Sequence, residues 1–315
     1  MNILITGVAG AIGSHVAEAL VAQGHTVRGI DSFSSYYSPA LKKVNVEDLR
    51  RVGVEVFNTD LAEADLEQYV EGAEVVYHFA AQPGISAQTP FEEYVRNNIT
   101  ATYRLLEAVK RAGTVQLFVH ASTSSVYGKH ASGDETALPQ PTSYYGVTKL
   151  AAEQLALAYQ REVGLPVVVL RFFSVYGERE RPDKLYHKFI ASVLNKKPFT
   201  LHEGSEKHIR SYTYIQDIVD GCLSVLEQKE KVIGEIFNLG TDKTITTGEG
   251  IEILEKILGE KAEITVLPKR PGDQVETAAN IAKARRVLGY DPKVTPQEGL
   301  AKEVMWYKEK VMGKI

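Results

Sequence analysis

The sequence predicts an α/β fold: a doubly wound parallel sheet followed by a smaller C-terminal α/β substrate-binding region. Three observations lead there. Up to about residue 171, short β-branched runs alternate with helical patterns, and the runs are nearly continuously apolar, as strands buried on both faces must be. The first run, Asn2-Ile3-Leu4-Ile5, passes straight into the glycine-rich turn Thr6-Gly7-Val8-Ala9-Gly10-Ala11-Ile12-Gly13. Much later, Tyr145 and Lys149 stand four apart in a helical stretch, on one face.

Each element follows in order. Asn2–Thr6 is the first strand, and Gly13 to Val21 carries apolar residues at helical spacing. Further strands are expected at Thr26–Ile30, Val54–Asn58, Val75–Phe79, Leu117–Ser122 and Val167–Leu170, with long helices at Phe91–Ala112 and Tyr144–Val163. Right-handed crossovers would then set every strand C-terminus, and any ligand, along one edge, the arrangement of a Rossmann sheet. After Arg171 the pattern shortens, with helices near Asp183–Asn195, Ile215–Gln228 and Thr247–Leu258, then Pro-Gly punctuation at Pro268–Asp273. The chain therefore divides into a cofactor-binding part, 1–171, and a mainly substrate-binding part, 172–315.

Composition excludes several classes. With 315 residues, 44% of them hydrophobic, the chain can bury one large core or two coupled ones. A formal net charge of −4 with interspersed signs gives no footprint for nucleic acid or a membrane surface. No run of about 18 apolar residues offers a membrane span, and the N-terminus enters a strand without a cleavable apolar segment. The single cysteine, Cys222, excludes an intramolecular disulfide, so a cytoplasmic protein is expected. His15, His25, His78, His120, His130, His187, His202 and His208 show no metal-ligand spacing, and no metal is expected; His78 and His120 should pack in or beside strands.

The chemistry comes from combining the motifs. Glycines at 7, 10 and 13 let a pyrophosphate approach the main chain, and the unpaired N–H groups of the following helix favour an anion. Asp31 ends the second strand about 20 residues after the turn, where an acid binds a ribose diol. Because it would repel a 2′-phosphate, NAD is favoured over NADP. An ammonium beside the Tyr145 phenol would lower its pKa from about 10 toward working pH and make it a base for an alcohol proton. The hydroxyls of His120-Ala121-Ser122-Thr123-Ser124-Ser125 lie at the right strand end to share that alcohol. Tyr36, Tyr37 and Tyr144 are further candidates for the pocket wall.

With these motifs the chain resembles the extended short-chain dehydrogenases/reductases that remodel nucleotide sugars. The resemblance spans nearly the whole length, through Thr6–Gly13, His78-Phe79-Ala80-Ala81, Asn97-Asn98, Ser122–Gly128, Tyr145–Lys149, Arg171–Gly177 and Arg270-Pro271-Gly272-Asp273. Within that group it is most similar to UDP-glucuronate 4-epimerases, on His78–Ile85, Ala121–Gly128, Leu170–Gly177 and Arg181-Pro182-Asp183. The resemblance implies a catalytic trio of Thr123, Tyr145 and Lys149. It implies that Gly7, Gly10, Ala11, Ile12, Gly13, Asp31, Ser32, Phe33, Asp60, Leu61, Ala80, Ala81, Gln82, Asn98 and Phe173 hold NAD together with Tyr145 and Lys149. Arg210, Arg270 and Asp273 would hold the diphosphate and ribose of the substrate, while Pro83, Thr123, Ser124, Ser125, Tyr145, Ser174 and Arg181 would meet the sugar. A homodimer through Phe91–Ala112 and Tyr144–Val163 is implied as well.

The Thr123-Ser124-Ser125 triplet discriminates among related chemistries. Related dehydratases and decarboxylases carry an acid at the Ser125 position, and dehydratases another at Ser124; hydroxyls instead suit a substrate carboxylate. Ser174 leaves room for that carboxylate, with Arg181 its candidate charge partner. Ser86, His202-Glu203, Ser211 and Asn280 depart from the usual pattern around the base and sugar and leave the redox centre untouched. A neutral UDP-hexose 4-epimerase, a UDP-glucuronate decarboxylase and a non-catalytic NAD-sensing protein are the alternative readings.

Overall fold

The computed structural model describes residues 1–86, 88–269 and 274–314. Its centre is a seven-stranded sheet built from β1 (Asn2–Thr6), β2 (Thr26–Asp31), β3 (Glu55–Asn58), β4 (Val75–His78), β5 (Leu117–Thr123), β6 (Val167–Phe172) and β7 (Ile236–Leu239). The spatial order is β7-β6-β5-β4-β1-β2-β3, and all pairings are parallel. Strand order therefore reverses between β1 and β4, which opens a crevice beyond their C-terminal ends.

The side-chain period of two feeds two cores. Ile3, Ile5, Val119 and Leu170 point into one, packed by helices Ala11–Ala22 and Ile215–Glu227; Leu4, Val76, Phe118 and Val169 point into the other, packed by Ala101–Ala112 and Tyr144–Val163. Every residue of β4, β5 and β6 is buried, as the unbroken apolar runs require.

The predicted strands and the main helices are present, with ends shifted by a residue or two. Three features differ from expectation. The Pro39–Arg51 helix was not anticipated, because its polar sequence has no clear apolar stripe; Ser38 at the N-cap and Pro39 in the first turn are its start signals. Residues Ile236–Leu239 return to the main sheet as β7 alongside β6, a run of four too short to stand out. Finally, the Phe91–Ala112 helix is interrupted by a π turn at Val95–Thr100. That wide turn delivers Asn98 inward, where Oδ1 accepts Gln82 N–H at 2.7 Å and Nδ2 donates to Thr148 Oγ1 at 2.9 Å.

The Tyr144–Val163 helix is capped as its sequence suggests. The Ser143 side chain accepts the Gly146 N–H at 3.1 Å, and Gly164 closes the C-terminus at φ +72°. Gly146 is required by contact, since a Cβ there would lie 2.7 Å from Ser125 O. Beneath this helix Glu153 and Arg171 form a two-point ion pair at 2.6 and 3.0 Å, both wholly buried. Ser122 Oγ donates to Glu153 at 2.6 Å and Arg171 Nη1 donates to Tyr127 Oη at 2.8 Å. Arg171→Met leaves that carboxylate without its counter-charge, and urea unfolding should show a loss of about 3–5 kcal/mol. Adding Glu153→Gln should recover part of it; a loss below about 1 kcal/mol would mean the pair does not hold the helix.

Candidate active site

The crevice between β1 and β4 opens into a cavity of about 620 Å³. Gly7, Gly10, Ala11, Ile12 and Gly13 form its floor. Gly7 has φ +70°, and a Cβ on it would lie 2.7 Å from Ala80 N; one on Gly13 would lie 2.4 Å from Gly7 O. Gly10 is the N-cap of helix Ala11–Ala22 and offers no side-chain partner, so that end presents bare N–H groups to the cavity. Such a floor fits the pyrophosphate of a dinucleotide. A second fit is Gln82 Nε2, which is buried in the cavity wall with no hydrogen-bond partner among the described residues.

Of the other expected residues, Asp31, Ser32, Asp60, Leu61, Ala80, Ala81, Gln82, Pro83, Tyr145, Lys149 and Arg181 line the same cavity. Asp31 is buried and bonded to Ala9 N–H at 3.2 Å, Phe33 N–H at 2.8 Å and Lys42 Nζ at 3.2 Å. Asp60 accepts from Arg96 at 2.7 Å. Phe33, Asn98, Thr123, Ser124, Ser125, Phe173, Ser174 and Arg210 do not belong to the cavity lining. Asn98 acts from behind, through Gln82 and Thr148, and Phe173 is buried beside Tyr127. Ser174 begins a short strand, Ser174–Tyr176, paired with Tyr212–Tyr214. Arg210 donates to the carbonyls of Ile209 and Gln274. Arg270 and Asp273 lie outside the described residues.

Tyr145 and Lys149 sit where β5 ends. Thr123 hydrogen-bonds the Tyr145 phenol, and Ser125 N–H donates to Thr123 Oγ1 at 3.1 Å. Burial pushes the Tyr145 phenol above its ordinary value; the nearby Arg181 charge and the Thr123 bond pull the other way. Lys149 is not the source of that pull, contrary to the expectation from spacing alone. Its ammonium is turned to Ala121 O at 2.5 Å, and burial lowers it to about 8 while Glu153, one helical turn on, raises it. Arg181 forms a two-point pair with Asp183 at 2.9 Å each and lies 5.9 Å from the Tyr36 ring centre. Tyr94 approaches Tyr145 with ring centres 6.5 Å apart.

His78 bridges Thr6 at 2.7 Å and Thr102 at 2.8 Å, is lowered by burial to about 3, and is packed as a neutral ring. Among the described residues no group of three or more metal-ligating side chains comes together, and no helix is long and apolar enough to cross a membrane. Sequence reasoning missed Ser34, Ser35, Lys42, Arg96, Glu178, Glu180 and Lys184 on the cavity wall. None of them stands in a local pattern that announces the cavity; Lys42, for one, lies one turn into the unanticipated Pro39–Arg51 helix.

Comparison with known proteins agrees with this geometry. A family model described as the NAD dependent epimerase/dehydratase family matches residues 3–240. The chain belongs to that family. Among its relatives in the family, a Bacillus subtilis (strain 168) protein named as an uncharacterized UDP-glucose epimerase, YtcB, is 40% identical over 99% of this chain and 100% of its own. UDP-glucuronate 4-epimerase 3 of Arabidopsis thaliana is 38% identical over 97% of this chain and 76% of its own. Among solved structures, the UDP-glucuronic acid 4-epimerase of Bacillus cereus, in complex with UDP-glucuronic acid and NAD, superposes with a TM-score of 0.94 at 39% identity, covering 98% of this chain and 99% of that one. The dTDP-glucose 4,6-dehydratase DesIV of Streptomyces venezuelae superposes with a TM-score of 0.90 at 29% identity, over 98% of both chains.

The lysine gives this family site a pH limit. Lys149 is charged in the folded protein only below about 8, against an ordinary value of 10.5. Turnover that needs its ammonium should therefore be level below that pH and decline above it. Lys149→Arg should move the decline upward, since an arginine stays charged; an unshifted profile in that variant would detach the limb from this residue.

Proposed function

We propose that this family member is an NAD-dependent 4-epimerase of a nucleotide sugar, interconverting UDP-glucuronate and UDP-galacturonate through a 4-keto sugar. The observation that carries the reading is the all-hydroxyl end of β5. Thr123, Ser124 and Ser125 are buried beside Tyr145 with no carboxylate among them, so the site has no acid there to expel water or assist loss of carbon dioxide. The named substrates of the Bacillus cereus and Arabidopsis thaliana relatives support the uronic acid.

NAD held against the glycine floor would supply the hydride acceptor and donor that oxidation and re-reduction at the sugar C4 require. As the phenolate, favoured by the Arg181 charge and the Thr123 hydroxyl, Tyr145 takes the C4 hydroxyl proton and, as the phenol, gives it back to the inverted alcohol. Lys149 supplies positive charge beneath the site. Arg210, Arg270 and Asp273 anchor the diphosphate and ribose, so the sugar can swing while the nucleotide stays. The keto intermediate of a uronic acid is a β-keto acid, prone to decarboxylate when its carboxylate bond aligns with the carbonyl π system. Ser124, Ser125 and Ser174 hold the carboxylate out of that alignment, and Arg181 offsets its charge. Gly7 to Gly13, Asp31 to Phe33, Asp60, Leu61, Ala80 to Gln82, Asn98 and Phe173 form the cofactor side, directly or from behind. Residues 1–171 carry most of the cofactor side together with Tyr145 and Lys149, and 172–315 mainly the nucleotide-sugar side, with β7 a structural contribution of the second part to the first.

A neutral hexose substrate is the second reading, favoured by the name of the Bacillus subtilis relative. Incubation with UDP-glucuronate and with UDP-glucose, followed by mass spectrometry and proton NMR, decides between them. The expected product is isobaric with UDP-glucuronate and inverted at C4; loss of 44 mass units would make the chain a decarboxylase. Tyr145→Phe should cost at least about two orders of magnitude in rate, and near-normal turnover would remove the tyrosine from the mechanism.

The protein acts as a homodimer, in this reading, through Phe91–Ala112 and Tyr144–Val163. Support comes from the apolar side chains these helices leave outside: Tyr144 is 58% exposed, Tyr103 48% and Val147 44%, and the Phe91 and Tyr144 rings stand 5.1 Å apart. Light scattering should give twice the chain mass, and Tyr103→Glu with Val147→Glu should give a monomer; an unchanged dimer would place the interface elsewhere.

A further inference from the structure

The ribose end of the cleft holds a buried cation that the epimerase reading leaves unused. Lys42 comes from the Pro39–Arg51 helix, is 6% exposed, and donates to Asp31 Oδ1 at 3.2 Å. The same ammonium reaches Ser34 Oγ at 3.4 Å and lies 5.1 Å from the centre of the Tyr37 ring. Its helix is fixed in place. Asn45 donates to Ala9 O at 2.9 Å, and Asp48 pairs with Arg179 at 3.5 Å and Lys310 at 3.3 Å.

Asp31 is correspondingly crowded with donors: Lys42 and the Phe33 N–H on one oxygen, the Ala9 N–H on the other. A lone acid at this strand end selects a ribose diol by accepting its hydroxyls and repelling a 2′-phosphate. An acid matched by a buried ammonium repels much less. The groups around it, one ammonium and two backbone N–H groups with a serine hydroxyl alongside, are the donor set a phosphate uses.

We propose that Lys42 is a specificity-determining residue of the cofactor site, a phosphate anchor filled internally by the Asp31 carboxylate, so that the pair sets the choice between NAD and NADP. This rests on placing the dinucleotide in this cleft. Neutralising Asp31 leaves Lys42 as a buried charge without its partner, a costly state that a 2′-phosphate, with about two negative charges, relieves. Removing Lys42 instead leaves Asp31 as the unmatched acid and tightens discrimination against NADP.

A competition experiment tests this without any catalytic readout. The purified protein is brought to exchange equilibrium with an equal mixture of NAD and NADP, desalted and precipitated, and the released dinucleotides are quantified. Wild type should retain mainly NAD. Asp31→Asn should raise the retained NADP-to-NAD ratio by at least about tenfold, and adding Lys42→Met should abolish most of that rise. Lys42→Met alone supplies an arm that does not depend on how Asp31→Asn folds: it should lower the ratio several-fold, while Lys42→Arg keeps it near wild type. An undiminished rise in the double variant, or an unchanged ratio in Lys42→Met, overturns the role of Lys42. Retention of neither dinucleotide by wild type overturns the placement of the cofactor itself.

Discussion

The Glu153 carboxylate, wholly buried between the Tyr144–Val163 helix and the sheet, is the constraint on which the rest depends. It takes two bonds from Arg171 on β6 and one from Ser122 on β5. A buried ion pair is a costly way to gain stability, but a precise way to fix register. Here it ties the helix at one height against two adjacent strands. Tyr145 and Lys149 precede Glu153 by two turns and one, so the same anchor sets where phenol and ammonium meet the strand ends. Gly146 completes the seating by admitting Ser125 O where a side chain would not fit.

Burial then decides the electrostatics. The site lowers Lys149 to about 8 and raises Tyr145, both because charge is poorly solvated there. In such surroundings each neighbouring charge counts for more than it would in water. Arg181, itself balanced by Asp183, and the Thr123 hydroxyl favour the ionised phenol, and Glu153 favours the ionised lysine. The chemistry is therefore poised by a small set of paired charges around a cavity whose floor is bare main chain.

Much of this was legible in the sequence because it rests on backbone rules. The glycines of 7–13 announce close approach, alternating apolar runs announce a doubly covered parallel sheet, and the four-residue step from Tyr145 to Lys149 announces a shared helix face. What stayed hidden depends on contacts between distant segments. Nothing near Lys42 in the chain says that its ammonium meets Asp31, and nothing near Arg96 points to Asp60. β7 is four residues long and gains its identity only from pairing with β6. The direction of the Lys149 ammonium was likewise invisible, since spacing gives the face of a helix and not the carbonyl across from it. The hydroxyl triplet at 123–125 was readable as chemistry, and in the fold it follows directly on Ala121 and Ser122, which line the cavity.

The π turn at Val95–Thr100 has a consequence for chain length. A wide turn holds one residue more than regular helix of the same rise, so the stretches on either side are out of phase by about 100°. That phase offset is what lets Asn98 face inward to the Gln82 backbone while Phe91, upstream, lies against Tyr144 on the outside. Losing a residue here would straighten the helix and rotate one stretch against the other, leaving the buried Gln82 backbone without its amide partner. This short stretch is thus intolerant of indels for a reason that has nothing to do with hydrophobic pattern: it works as a phase shifter between a surface and a reaction cleft.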